Sequence, residues 1–119
     1  MNVRLRAIAG VLLALPALPA SSQTGQFDGV WRITHTSADC RDKSGGFALT
    51  IASGMVRGRI PSGAITGIIS PSGAVRWSLP AALDAAPVVW EGSFRGNTGA
   101  GTYESAGGKC RGTFTARRN

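Results

Sequence analysis

Short turn sequences interrupt the chain at regular intervals, and this rhythm limits the possible folds more than any other feature. Each turn supplies a glycine, which can adopt the positive φ that a tight hairpin needs, and two turns begin with proline, which fixes φ in advance. The turn signals are Ser53-Gly54, Pro61-Ser62-Gly63, Pro71-Ser72-Gly73, Asn97-Thr98-Gly99 and Gly107-Gly108. The first three lie about ten residues apart, a spacing typical of an antiparallel meander. The sequence therefore predicts hairpins rather than helices.

Between the turns, apolar and polar residues alternate with the period of two that is characteristic of β-strands. The alternation predicts eight strands, at 29–36, 46–52, 55–60, 64–69, 74–79, 87–94, 99–105 and 109–117. One face is apolar and is predicted to form the interior: Trp31, Ile33, Phe47, Leu49, Ile51, Val56, Ile60, Val75, Trp77, Leu79, Val88, Trp90, Phe94, Tyr103, Phe114 and Ala116. The opposite face carries mostly arginines, as a solvated surface should.

A sheet of short strands must protect its two edges, and pairing the first strand with the last removes both. We therefore predict an all-β fold, a small antiparallel up-and-down barrel of about eight strands, with a β-sandwich as the alternative. Cys40 follows the first predicted strand and Cys110 begins the eighth. If these strands pair antiparallel, the cysteines fall side by side and Trp31 lies opposite residues 117–119. The need to protect the edges and the positions of the cysteines thus both predict that the first strand pairs with the last.

The two cysteines, Cys40 and Cys110, are expected to form a disulfide bond. A thiol redox site would place its cysteines close together in sequence, as in Cys-x-x-Cys, whereas about 70 residues separate this pair. Disulfides form and persist in oxidising compartments outside the cytoplasm. The cysteines therefore predict a structural cross-link in a periplasmic or secreted protein.

The N-terminal segment has the pattern of a secretory signal peptide. Arg4 and Arg6 precede an apolar run of about twelve residues, from Ala7 to Leu18. This run is too short for a transmembrane helix, which needs roughly 20 residues. We therefore expect an exported protein with no transmembrane segment in its mature chain.

Cleavage of the signal peptide after Ala20 or after Ser22 would place a small residue at the cut, and the sequence leaves both sites open. We assign the signal peptide to residues 1–20 and a flexible polar leader to residues 21–26. The remaining residues, 27–119, are predicted to form a single β-barrel domain.

The mature chain is basic, and most of its positive charge is carried by arginine. Without the predicted signal peptide it keeps 11 basic and 6 acidic side chains, a net charge near +5. Arg57 and Arg59 on the third strand and Arg76 on the fifth form a candidate anion-binding stripe, because guanidinium groups bind phosphates and carboxylates bidentately. The alternative is that these arginines only keep the protein soluble. Nucleic acid is not an expected partner, since the tryptophans that could stack on bases face inward.

The stretch Phe-Asp-Gly-Val-Trp, from Phe27 to Trp31, resembles the Gly-x-Trp opening of calycin-type barrels, which include lipocalins and a family of bacterial metalloprotease inhibitors. In those barrels an arginine of the last strand packs over the tryptophan. The resemblance therefore implies a barrel-closing stack on Trp31 by Arg117 or Arg118, and we assign it to Arg117. A lipocalin-sized ligand cavity is not expected in so short a chain.

A wider pattern is similar to small exported proteins of alphaproteobacteria. It combines the Phe-Asp-Gly-x-Trp start, a cysteine nine residues later, Gly54-x-Val-x-Gly58, and a final Cys-x-Gly-x-Phe-x-Ala-Arg that begins at Cys110. This resemblance covers most of the mature chain and implies no particular activity.

The residues that could perform chemistry are few. The chain holds one histidine, His35, one tyrosine, Tyr103, and six carboxylates, and acid–base catalysis would need two such groups to converge in one pocket. His35 and Asp39 are too few ligands for a stable metal site, which needs three or four. We therefore predict no catalytic residues, no metal, no cofactor and no enzymatic activity.

Two functions remain. The first is a non-catalytic binding module that engages an unknown protein or small ligand at the barrel mouth or through the leader, in its sharpest form an inhibitor of an extracytoplasmic protease. The alternative is an envelope-associated structural protein that binds anionic lipid or polysaccharide through its surface arginines.

Overall fold

The computed structural model describes residues 25–40, 43–79 and 87–119, which form a closed antiparallel barrel. The strands are β1 (Gly29–Thr36), β2 (Ser44–Ala52), β3 (Met55–Ile60), β4 (Gly63–Ile69), β5 (Ala74–Leu79), β6 (Val88–Arg95), β7 (Thr98–Ser105) and β8 (Arg111–Arg118). Each strand pairs with the next in sequence, and β1 also pairs with β8. The predicted up-and-down barrel is therefore confirmed, and the sandwich alternative is wrong.

Part of the sequence-based assignment lies outside the described residues. The predicted signal peptide at 1–20 and residues 21–24 of the predicted leader belong to this part. Among the residues that the structure does describe, no helix is long and apolar enough to cross a membrane.

The turn between β4 and β5 depends on a glycine at position 73. Gly73 has a φ of 98°, a conformation that an L-residue with a Cβ rarely adopts. A Cβ at this position would also collide with the carbonyl oxygen of Phe94. The Gly73 carbonyl accepts a hydrogen bond from the Phe94 amide at 2.8 Å, so the hairpin is tied to the neighbouring strand β6. The glycine of the Pro-Ser-Gly signal is therefore required both by conformation and by this close approach.

The barrel interior is filled with apolar side chains. Its most deeply buried members are Trp31, Ile33, Leu49, Ile51, Val56, Ile65, Trp77, Trp90 and Phe94. The predicted inner face is confirmed, since every residue assigned to it is buried or packs against the buried cluster. The prediction placed a strand at 64–69 but assigned it no inner face; in β4, Ile65 and Ile69 face inward while Ile68 is 62% exposed. Apolar residues on both faces of that strand hide the alternation.

A stack of aromatic rings crosses the interior at one level. Trp77 faces Trp90 across β5 and β6, and Trp90 faces Tyr103 across β6 and β7. The ring centroids lie 5.6 Å apart in the first pair and 4.1 Å in the second, both nearly parallel. Gly112 of β8 faces Tyr103, and a Cβ there would collide with the phenol ring. A missing side chain on one strand thus makes room for a large one on its neighbour.

The Cys40–Cys110 disulfide joins the loop after β1 to the loop before β8, with the two Cα atoms 4.7 Å apart. The predicted cross-link is therefore confirmed, and it lies at the seam where the first and last strands close the barrel. Such a bond is compatible with an oxidising compartment.

Replacing both cysteines with alanine should lower the free energy of unfolding by about 4 kcal/mol, because the bond closes a loop with a sequence separation of 70. Urea denaturation followed by tryptophan fluorescence measures the change. Wild-type protein unfolded under reducing conditions is the matched control and should behave like the double variant. Equal midpoints for the oxidised wild type and the double variant would contradict a stabilising role.

Candidate functional site

The two ends of the barrel are closed by different chemistry. The Arg118 end is the end at which β1 begins and β8 finishes, and there Arg118 lies opposite Trp31 in the β1–β8 register. The disulfide end is the opposite one, where Cys40 and Cys110 join the loops. Candidate functional residues lie at both ends and along the outer wall between them.

At the Arg118 end, a cation covers a buried indole. Trp31 has no solvent exposure, and its ring nitrogen donates a hydrogen bond to the carbonyl oxygen of Phe27 at 2.9 Å. The guanidinium carbon of Arg118 lies 5.0 Å from the centroid of the Trp31 ring, within the range of a cation–π interaction. Phe94 packs on the same indole, with the ring centroids 4.4 Å apart. The end of the barrel is therefore plugged by side chains.

The Arg118 guanidinium also ties two separate segments to the end of β8. It donates to the backbone carbonyls of Gln26 and Asp28, at 3.1 and 2.9 Å, on the N-terminal side. It donates to the carbonyl of Gly96 at 3.1 Å and to the side-chain oxygen of Asn97 at 2.9 Å in the β6–β7 hairpin. One half-buried cation thus satisfies four acceptors from two separate segments of the chain.

The sequence-based choice of Arg117 for this stack is wrong by one position. Arg117 faces Arg32 in the β1–β8 register and is exposed on the outer wall. The physical reason is strand alternation, because Phe114 and Ala116 point inward and the next inward position is 118. The last two residues of the predicted flexible leader are also held, since Gly25 accepts a hydrogen bond from the amide of Asp28 and Gln26 binds Arg118.

At the disulfide end, Asp39 organises the loop that carries Cys40. Its carboxylate accepts hydrogen bonds from the backbone amide of Arg111 and from the hydroxyl of Ser37, both at 3.1 Å. These two donors, the Arg111 amide first, hold the pKa of Asp39 below its ordinary value of 3.8. The ionised carboxylate therefore joins the loop after β1 to the start of β8, beside the disulfide.

The candidate acid–base residue His35 is packed among aromatic rings. Its Nδ1 lies 3.3 Å from the Tyr103 hydroxyl. Its ring centroid lies 6.1 Å from that of Phe47 and 5.5 Å from those of Trp90 and Tyr103. Within the described ranges, no group of three or more histidine, cysteine or carboxylate side chains is placed to hold a metal ion. His35 thus contacts Tyr103, whereas Asp39 binds Ser37 and the Arg111 amide.

The three arginines of the predicted anion stripe are all exposed but do not share one row of the sheet. Arg57 faces Thr66, and Arg59 faces Ala64, both across β3 and β4. Arg76 belongs to a different row and faces Glu91, with a 3.6 Å nitrogen-to-oxygen distance. The structure therefore brings Arg57 and Arg59 together on β3, while Arg76 is displaced from them and its charge is countered.

A second set of arginines was not identified from the sequence. Arg32 on β1 faces Arg117 on β8, and Arg117 faces Thr98 on β7, which in turn faces Arg95 on β6. We refer to these four residues as the arginine row, and all four are exposed. These residues are brought together by the register between β1 and β8. The positions of the apolar residues on these two strands could have predicted that register.

Comparison with known proteins assigns no family to the chain: no protein-family model matches it, and no curated protein matches it. The calycin resemblance therefore stays a prediction. The stack that it implies on Trp31 is nevertheless present, with Arg118 as the cation.

Replacing Arg118 with alanine should lower the free energy of unfolding by about 2–3 kcal/mol, because the cation–π contact and four hydrogen bonds are lost together. Arg117→Ala is the matched control, removing the same side chain one position away on the outer wall. We expect it to change stability by less than about 0.5 kcal/mol. Urea denaturation distinguishes the two variants, and equal losses would contradict the assignment of the stack to Arg118.

The lowered pKa of Asp39 predicts a stability loss in acid. Because the folded state favours the ionised carboxylate, this stabilisation is present above pH 3.8 and is lost as the pH falls through the lower, folded-state value. Asp39→Asn should be less stable than wild type at neutral pH, and the difference should shrink on acidification below pH 3.8. Thermal unfolding between pH 7 and pH 2 measures it, with Glu91→Gln as the control for loss of one carboxylate. A difference that does not depend on pH would contradict the prediction.

Proposed function

We propose that the protein is an exported, non-catalytic binding module that engages its partner with the outer surface of the barrel. The filled interior is the observation that carries this proposal. Trp31, Trp77, Trp90 and Phe94 occupy the space that holds the ligand in a barrel with a cavity, and each is at most 2% exposed. Arg118 covers one end of this packed core. Recognition is therefore assigned to the side chains that point outward.

Export is supported by two features of the chain. The N-terminal sequence has the charge and length pattern of a signal peptide, and the Cys40–Cys110 bond is suited to an oxidising compartment. We place the mature protein in the periplasm or outside the cell on these grounds.

A role without catalysis is supported by the placement of the ionisable side chains. Asp28 accepts a hydrogen bond from the Ser53 amide at 2.9 Å, Asp39 is bound by Ser37 and Arg111, and Glu91 pairs with Arg76. These carboxylates serve turns and cross-strand contacts, and they are spread over the surface. Acid–base chemistry needs them to converge on one reacting atom.

A protein partner is supported by an exposed apolar pair on the outer wall. Met55 and Ile68 face each other across β3 and β4 and are 42% and 62% exposed. The Arg76–Glu91 pair lies on the adjacent strands of the same row. Protein interfaces combine an apolar centre, often with methionine, and a charged rim. The narrower form of the proposal, an inhibitor of an extracytoplasmic protease, follows from the calycin resemblance.

A second candidate function is attachment to the envelope through anionic lipid or polysaccharide. The observation that favours it is the number of outward arginines without a described acidic partner, which include Arg57, Arg59 and the three arginines of the arginine row. A surface of this kind attracts polyanions at low ionic strength.

Crosslinking of the mature protein in its own envelope fraction, followed by purification, tests the protein-partner proposal. Wild type should recover a defined partner, and Ile68→Ser should lose most of it because the centre of the apolar pair is removed. Thr66→Ser, an outward position on the same strand, is the matched control and should recover the partner like wild type. If the partner is a protease, the purified barrel should block its activity. Equal recovery by Ile68→Ser would contradict this surface, and recovery of no protein would contradict a protein partner.

A further inference from the structure

Among the described residues, the outer wall of the barrel has three places where an arginine lies directly opposite another charged residue. In two of them the partner is acidic: Arg76 faces Glu91, and Arg111 faces Glu104. In the third, Arg32 faces Arg117 across the closing seam. Like charges opposite each other destabilise an antiparallel pair. Opposite charges thus face each other in the first two places, whereas two positive charges face each other in the third.

The arginine row extends this imbalance over four neighbouring strands. Arg95 lies two strands from Arg117, with Thr98 between them. At a strand spacing of about 4.8 Å, the row from Arg32 to Arg95 covers about 14 Å, a distance over which flexible arginine side chains can converge on one group. The three positive charges of the row are therefore concentrated in one patch of the barrel surface.

No described carboxylate offsets these three cations, because Arg76–Glu91 is the only ion pair among residues 25–40, 43–79 and 87–119. The carboxylates of Asp28 and Asp39 accept hydrogen bonds from the backbone amides of Ser53 and Arg111 instead. The positive charge of the row is thus available to a ligand.

Small residues leave the guanidinium groups accessible. Thr98 separates Arg117 from Arg95, and Ala48 lies beside Arg32 on its other side. Neither side chain is large enough to cover an arginine. The row therefore forms an open surface with three planar donors around a short threonine.

We propose that the arginine row is a binding site for a multivalent oxyanion, a phosphate or sulfate group carried by an envelope molecule. Guanidinium groups bind such oxygens with paired, charge-assisted hydrogen bonds. A bound dianion would also offset the repulsion between Arg32 and Arg117 that the fold itself leaves in place. This inference rests on the proposed function, since it assumes that the barrel acts by binding at its outer surface.

The surrounding surface favours this ligand over single-stranded nucleic acid. Non-specific binding of unpaired bases uses exposed aromatic side chains as stacking platforms. The three tryptophans and Tyr103 are buried in the interior instead. The row offers charge and hydrogen-bond donors, which match the oxyanion group itself.

Titration of the isotope-labelled, disulfide-bonded protein with inorganic phosphate tests the site directly, using the arginine side-chain and backbone signals in nuclear magnetic resonance spectra. At constant ionic strength maintained with chloride, phosphate should shift the signals of Arg32, Arg95 and Arg117 in a saturable manner. Signals of Arg57 and Arg76 should move much less. Shifts that do not saturate, or that are equal at all five arginines, would overturn the site.

Two variants with the same change in net charge separate the site from bulk charge. Arg32→Gln should weaken phosphate binding about two- to fivefold, the effect of one exposed charge pair. Arg76→Gln lies outside the row and should leave binding nearly unchanged. Arg32→Gln should also melt at an equal or higher temperature than wild type at low salt, because a repulsive pair is removed, and this shows that weaker binding does not come from misfolding. Equal losses of binding in both variants would overturn the proposal.

Two further probes distinguish the source of the oxyanion. Dextran sulfate is compared with neutral dextran, and phosphatidylcholine vesicles with phosphatidylglycerol are compared with vesicles without it. Binding to either anionic probe that decreases in Arg32→Gln, and not in Arg76→Gln, supports the site and names its source. If neither probe binds, the proposal is overturned. Failure of these tests together with recovery of a protein partner by crosslinking would reject the oxyanion site and leave the proposed function standing.

Discussion

The pairing of β1 with β8 is the interaction on which the rest of the structure depends. It converts an open meander into a closed barrel and removes both exposed edges. Three kinds of contact hold it: the backbone register from Trp31 to Thr36, the Cys40–Cys110 bond at one end, and the Arg118–Trp31 contact at the other. The interior can stay closed and densely packed because this seam is fixed at both ends.

A packed interior changes what a small barrel can do. In wide barrels the inward side chains leave a space for ligand, whereas here Trp77, Trp90 and Tyr103 stack across it. The indole nitrogens of Trp77 and Trp90 have no hydrogen-bond partner among the described residues, a cost of about 1–3 kcal/mol each that the aromatic packing must offset. These rings fill the space that a ligand occupies in wider barrels, which supports the proposal that recognition uses the outer wall.

Most of the fold could be predicted from sequence because the turn signals and the alternation of apolar and polar residues are both local patterns. Glycine and proline marked the hairpins, and alternation identified the inner face of every strand except β4, where Ile65, Ile68 and Ile69 place apolar residues on both sides. The stack on Trp31 was assigned one residue early, although the inward positions of Phe114 and Ala116 point to residue 118. The arginine row was missed for a different reason: Arg32 and Arg95 are distant in sequence, and only the register of three strand pairs brings them onto one patch.

The position of Arg118 at the end of β8 has a consequence for how the barrel forms. The cation that covers Trp31 and joins the turn before β1 to the β6–β7 hairpin lies on the eighth strand, which pairs with the first. Contacts between strands so far apart in sequence close a long loop, and a fold that depends on them forms slowly. Until β8 emerges, the nascent chain has neither its covering cation nor the second cysteine. Closure of the barrel therefore has to wait for the synthesis of its eighth strand.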